Sequence, residues 1–176
     1  IWGTEQGLGV TVDLPGVRLI LLNTQGHSRA QIADAEEFDP VYGWVSHREL
    51  ARLDAAVATA GERALLLFTH QPLLPWTGSN GWQEFYGVQN AEAVLRILAG
   101  GANVAAVFQA HAHRFDVRTV PLGGRDSAFI IVPSLIEYPV AWVRLDITQT
   151  AMRIRLQRLM LAELQQASRE SGTGQQ

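Results

Sequence analysis

Three histidines stand where side chains able to hold a metal are expected. His70 follows the apolar run Ala64 to Phe68 after one threonine, and His111 and His113 follow the run Val104 to Phe108. Neutral imidazole suits zinc, iron or manganese. On extended backbone, residues two apart project to the same side, so His111 and His113 can serve one ion or two adjacent ions. His70, from a different strand, can converge on them. A His-x-His pair alone also fits two polar residues on an exposed loop; His70, similarly placed, tilts the reading toward metal. The other two histidines carry less weight. His47 falls in the first turn of a helix and reads as a solvated surface residue, and His27, after a glycine, reads as a loop residue within reach of the site. Asp116, Asp126 and Glu137 are possible carboxylate ligands but read as surface or turn residues. Trp76, Trp82, Phe85 and Tyr86 share one loop, either as a lid over a substrate or as aromatics packed on the core. No Ser-His-Asp arrangement, phosphate-binding glycine loop or dinucleotide fingerprint occurs.

The elements that must position these residues follow from apolar pattern. Val17 to Leu22, bounded by Pro15-Gly16 and Asn23-Thr24-Gln25-Gly26, reads as a buried strand. The acidic stretch Gln31 to Pro40 reads as an excursion loop. Ser46-His47-Arg48-Glu49 is a capping box opening a helix with Leu50, Leu53 and Val57 on one face, stopped by Gly61. Ala64 to Phe68 is a second buried strand. Residues 71 to 89 form a long loop, of a length usually functional or mobile. Asn90 caps a second helix, Ala91 to Leu98, closed by Gly100-Gly101, and Val104 to Phe108 is a third buried strand. Four more strands are expected at Phe115 to Val120, Ser127 to Val132, Val140 to Ile147 and Ala151 to Leu159. The last alternates Met152, Ile154 and Leu156 with Arg153, Arg155 and Gln157, giving one wet face. A helix is expected to begin at Ala162 and pass into a polar, disordered tail ending at Gln176. The order predicts an α/β layer feeding an antiparallel sheet. Ligands of open α/β sheets bind beyond the carboxyl ends of the strands, where His70, His111 and His113 stand.

Composition narrows the class. A chain of 176 residues with 47% hydrophobic and 18% charged residues is globular and suits one domain or a large part of one. A formal net charge of -3 gives no support to nucleic-acid binding by phosphate neutralisation. The absence of cysteine removes thiolate metal sites and disulfides, and leaves the compartment open. No apolar run reaches membrane-spanning length, and Ile1-Trp2-Gly3-Thr4 has neither the basic start nor the apolar stretch of a signal peptide. A chain starting at Ile1 reads as a fragment, a processed product or a trimmed sequence.

Phe68-Thr69-His70-Gln71-Pro72-Leu73 and Gln109-Ala110-His111-Ala112-His113 resemble the calcineurin-like metallophosphoesterases, in which one strand ends in His followed closely by Pro-Leu and a later one in Gly-His-x-His. Leu21-Leu22-Asn23-Thr24, Val45-Ser46-His47-Arg48-Glu49-Leu50 and Ile131-Val132-Pro133-Ser134 with Tyr138-Pro139 extend the resemblance over about residues 15 to 150. It implies a partial α/β fold: the C-terminal portion, residues 1–160, of a two-sheet sandwich flanked by helices, followed by a terminal helix and polar tail at 161–176. It implies that His70 and His111 ligate one divalent ion and His113 another, of manganese, iron or zinc. The implied activity is hydrolysis of a phosphomonoester or phosphodiester substrate, with the ions polarising phosphoryl oxygens and activating a bridging water.

Two departures accompany the resemblance. Ala110 stands where the family has glycine. The N-terminal Asp-x-His, Gly-Asp and Gly-Asn-His-Asp motifs, which supply the bridging carboxylate and the general-acid histidine, do not occur. Three neutral imidazoles do not offset two divalent ions about 3.5–4 Å apart. This chain alone is therefore expected to hold at most one ion weakly and to be inactive without the N-terminal segment of the same domain. Two competing expectations are an inactive relic or interaction module, and a mononuclear three-histidine zinc site.

Overall fold

The computed structural model describes residues 7–26, 42–76, 87–101, 103–148 and 150–171. Its elements, in chain order, are β1 (Val10–Leu14), β2 (Val17–Leu21), α1 (His47–Ala58), β3 (Ala64–Phe68), α2 (Ala91–Ala99) and β4 (Val104–Gln109). Then follow β5 (Asp116–Leu122), β6 (Arg125–Ile131), β7 (Ala141–Ile147), β8 (Met152–Arg158) and α3 (Ala162–Ser171). The acidic stretch at 31–40 and the polar tail lie outside the described residues.

Six strands form one sheet in the order β1-β2-β3-β4-β6-β5, and β7 with β8 forms a second, two-stranded sheet. β2, β3, β4 and β6 run parallel to one another, with β1 and β5 antiparallel at the edges. The continuous apolar character of β2, β3 and β4 follows from this, since a parallel strand is covered on both faces. The edge strands alternate instead, and Pro121 sits in edge strand β5, where a missing N–H breaks no interior ladder. The expected antiparallel portion is thus divided. β5 and β6 extend the first sheet, and only β7 and β8 build the second. β1 is an additional strand, joined to β2 through Pro15-Gly16.

The two faces of the large sheet are covered unequally. Ile20, Leu65, Leu67, Val107 and Phe129 pack under Leu53 and Val57 of α1 and Val94 and Leu98 of α2. On the opposite face Leu66, Ala106, Phe108 and Ile130 meet Leu145, Met152 and Ile154 of the small sheet. The inward side of β8 is therefore the Met152, Ile154 side, as the alternation predicts. The architecture is a sheet with helices on one face and a short second sheet on the other. Among the described residues no helix is long and apolar enough to cross a membrane.

The helix starts show how local signals are used. Ser46 caps α1 by accepting from the Glu49 amide at 3.2 Å. The Glu49 carboxylate, 1% exposed, does not return to Ser46. It accepts from the amides of Gly9 and Asn23 at 3.1 and 2.9 Å and pairs with Arg52 at 2.6 Å. Asn90 occupies the N-cap position of α2 but makes no capping bond. Its amide instead grips both the N–H and the C=O of Val45.

Candidate metal centre

β3 and β4 bring two of the histidines together. Phe68 stands opposite Phe108, and their rings stack at 4.9 Å. The backbone ladder runs past the strand ends, with the Thr69 amide donating to Phe108 and the Ala110 amide donating to His70, both at 2.9 Å. This register sets His70 beside Ala110, one residue short of His111. A left-handed turn at His111, φ 67°, makes up the difference. His111 Nδ1 then lies 2.9 Å from His70 Nε2, with the rings edge to face.

Buried amides hold the loop beneath this pair. Gln109 Oε1 accepts from the amides of Leu73 and Leu74 at 2.7 and 3.2 Å. Thr24 donates its hydroxyl to Gln71 Oε1. Both glutamines are 1% exposed. The residue after His70 and the residue ending β4 are thereby fixed by satisfied buried polar groups, which hold a unique geometry because leaving them unpaired is costly. Sequence reasoning missed Thr24, Gln71 and Gln109. The signal was a glutamine closing an apolar run.

His113 takes a different place. Its Nδ1 lies 2.6 Å from Glu137 Oε2. His113 is also left-handed, φ 51°. The expectation that His111 and His113 share one side of an extended strand is therefore corrected. β4 stops at Gln109, and both histidines lie on turning backbone. Ala110 is not left-handed, so the alanine at the family's glycine position sits in ordinary backbone. The conformation that favours glycine falls on the two histidines instead, where it costs about 1–3 kcal/mol each. Strain of this kind persists where surrounding contacts enforce it, and it collects at functional sites.

The electrostatics favour a lone pair at His70. Partial burial of its ring, and then the nearby His113, hold its pKa below the usual histidine value. The residue is exposed on its outward side, so the effect is one of a ring pressed against packed ground. Neutral imidazole is the ligating form.

The separation is that of a hydrogen bond between the two rings, one nitrogen donating to the other, and it also lies near the spacing of two ligands on one ion. Two nitrogens each about 2.1 Å from an ion are about 3.0 Å apart at a right angle and about 3.4 Å apart at a tetrahedral angle. The 2.9 Å separation of His70 and His111 is near the first. Two nitrogens are not a full donor set. Among the described residues no group of three or more His, Asp or Glu side chains could hold an ion. The expected meeting of three imidazoles is met by two, and a mononuclear three-histidine site is not assembled.

The remaining candidates are placed as follows. His47 and Asp126 are exposed, and Asp116 is partly buried at the start of β5. Trp76 is 6% exposed, with the Arg114 guanidinium 5.5 Å from its ring centre. His27, Trp82, Phe85 and Tyr86 lie outside the described residues. A cavity of about 590 Å³ opens beside the pair, lined by Leu21, Asn23, Phe68, Thr69 and His70 among others.

No family model matches the sequence, and no curated protein matches it. Among solved structures the chain is similar to a dimetal phosphatase from Danio rerio, with a TM-score of 0.63 and 18% identity over 82% of this chain and 55% of that one. It is also similar to the T. thermophilus sulfate thiohydrolase SoxB, at a TM-score of 0.45 and 11% identity, over 94% of this chain and 28% of that one. The chain spans about half the length of the dimetal phosphatase. The fold, a multistranded sheet flanked by helices in a mixed α/β arrangement, matches that of the phosphatase over the shared part.

Proposed function

We propose that this chain supplies the histidine-bearing part of a two-metal, calcineurin-like phosphoesterase centre. The observation that carries the proposal is the contact between His70 Nε2 and His111 Nδ1 at the tips of adjacent parallel strands. His70 and His111 would hold one divalent ion and His113 the second. When bound, such ions polarise phosphoryl oxygens and lower the pKa of a bridging water. The protein's own part is to present neutral imidazoles at fixed positions. It does so through the strand ladder, the Gln109 and Gln71 contacts and the depressed pKa of His70.

The substrate class is a phosphate ester, and the ions are manganese, iron or zinc. Two nitrogens and one carboxylate-bound imidazole leave most of the charge of two ions unbalanced. A complementary segment of the same domain, bearing carboxylates, therefore completes the centre, and the present chain alone turns over no substrate. Two features support that need: a face of the large sheet that, among the described residues, two strands cover, and the cavity at the strand ends. The test joins the chain to a carboxylate-bearing N-terminal segment and assays aryl phosphate ester hydrolysis with manganese or zinc. Metal-dependent turnover that disappears in His111→Ala is the expected result. A folded, metal-loaded protein with no turnover in any metal would sink the proposal.

A second reading is an inactive interaction module with the same fold. It is favoured by the placement of His113 against Glu137 rather than beside the other two imidazoles. Stoichiometric metal in the completed protein excludes it.

A further inference from the structure

We infer that Arg114, laid against Trp76, is an anion-binding residue at the rim of the candidate metal centre and holds a phosphoryl oxygen of the ester substrate. The inference deepens the proposed function and rests on it for the identity of the anion. The Arg114 guanidinium lies 5.5 Å from the centre of the Trp76 ring, and that tryptophan is 6% exposed. Nε of Arg114 is buried and, among the described residues, has no acceptor. A guanidinium carries five N–H donors and keeps its charge at every pH a protein meets. Leaving such a buried donor unpaired is costly. The carboxylate of Glu137, which reaches the preceding residue, is taken by His113. The acceptor that completes Arg114 therefore comes from outside these residues, and a cation calls for an anion.

Both partners are tethered to one buried anchor. Gln109 ends β4, five residues before Arg114. Its Oε1 accepts from the amides of Leu73 and Leu74, the second of them two residues before Trp76. Arg114 also follows His113 directly, within about 3.8 Å between Cα atoms. The stack is thus set at the strand tips that carry His70 and His111. A buried indole fixes the plane of the guanidinium laid on it. An arginine so held loses little freedom when its fork of N–H groups meets phosphate oxygens in pairs. Arg114 as a whole keeps part of its surface open, so a small anion has an approach.

Two other roles compete. Arg114 is a structural stack if the indole face is all it needs. It is a docking residue if its acceptor is a carboxylate of the completing segment.

The experiment uses the whole chain with ¹⁵N-labelled tryptophan and no metal. Five tryptophans give five indole signals, and Trp76→Phe assigns the one that disappears. Inorganic phosphate is titrated against sodium chloride of equal ionic strength. The Trp76 signal is expected to move saturably with phosphate and not with chloride, while the exposed Trp142 reports non-specific effects. Arg114→Ala is expected to abolish the saturable movement. Arg114→Lys, which keeps the charge and loses the fork, is expected to weaken it by about 10-fold, the worth of one charged hydrogen bond. A Trp76 signal indifferent to phosphate overturns the inference and leaves a structural stack. So does movement that persists in Arg114→Ala. If that variant does not fold, Arg114→Lys decides alone, and undiminished binding overturns the inference. A response that vanishes once the completing segment is joined gives Arg114 to a carboxylate of that segment and also overturns it. The titration needs no metal, so failure of the two-metal reading shows separately, as phosphate binding without metal-dependent turnover.

Discussion

The two left-handed histidines place the backbone cost of this site on ligand candidates rather than on the position that the family pattern marks for glycine. Ala110 donates its amide to His70 and accepts from Ala112 at 2.7 Å, in ordinary backbone. Restoring glycine there would only add freedom to the unfolded chain. Ala110→Gly is therefore expected to lower stability by about 0.4–1 kcal/mol, read as a shift in the urea midpoint, with zinc affinity unchanged. A gain in stability would mean that position 110 needs a conformation that alanine resists. The placement of His70 at a strand tip was legible in the sequence, because a continuous apolar run ending in a polar residue is a local signal. The geometry of His111 and His113 was not. Nothing in a two-residue spacing tells that β4 ends at Gln109 or that each histidine turns left-handed. Nor does it tell that a glutamate 24 residues later meets His113.

Element by element, the buried strands could be read because their neighbours on both faces demand unbroken apolar sequence. β1 escaped notice because it is a short edge strand, mostly exposed, whose alternation of Val10, Val12 and Leu14 spans only five residues. Yet β1 and α1 are bound together by charge. Glu49 of α1 holds the amides of Gly9 and Asn23, and a side chain at Gly9 would lie 2.0 Å from the Leu21 carbonyl and 2.5 Å from Glu49 Oε1. Glu49→Ala leaves Arg52 with only Thr11 Oγ1 and Leu21 O as acceptors, its carboxylate partner gone, and two amides without an acceptor. Its expected cost is about 3–5 kcal/mol, with a smaller loss for Glu49→Gln, measured by urea unfolding. A loss below about 1 kcal/mol for the alanine variant would show that the anchor is dispensable. The second link is Arg18, 8% exposed, which donates to Ala56 O and Thr59 Oγ1 at the end of α1 and to Asp13 of β1. The hydrogen bond from Arg18 is the main cause holding the Asp13 carboxyl below its usual pKa. A depressed carboxylate stabilises the fold at every pH above its unfolded value. That contribution fades as the pH falls through the folded one. Stability is thus expected to drop on acidification below the ordinary aspartate range. Asp13→Asn should flatten that part of a plot of urea midpoint against pH, and an unchanged slope would remove Asp13 from the account.

At the scale of the whole molecule, the unequal cover of the large sheet makes a prediction that two adjacent residues can test. Ile20 and Leu21 follow one another in β2 and face opposite ways. Ile20 is fully buried under the helices, whereas Leu21 is only partly buried and lines the cavity beside His70. Ile20→Ala should cost about 2–5 kcal/mol, as in any closed core. Leu21→Ala should cost less in this chain, about 1–2 kcal/mol, because part of its surface stays open to water. If a complementary segment covers that face and brings the remaining metal ligands, as proposed, the balance changes. In the completed protein the loss for Leu21→Ala should rise toward that of Ile20→Ala. Metal affinity should fall with it, since Leu21 and His70 line the same cavity. Urea midpoints of both variants, with and without the segment, give the comparison directly. An unchanged cost for Leu21→Ala would mean that the segment does not close over this face. The strand tips would then need another source for the carboxylates that two divalent ions require.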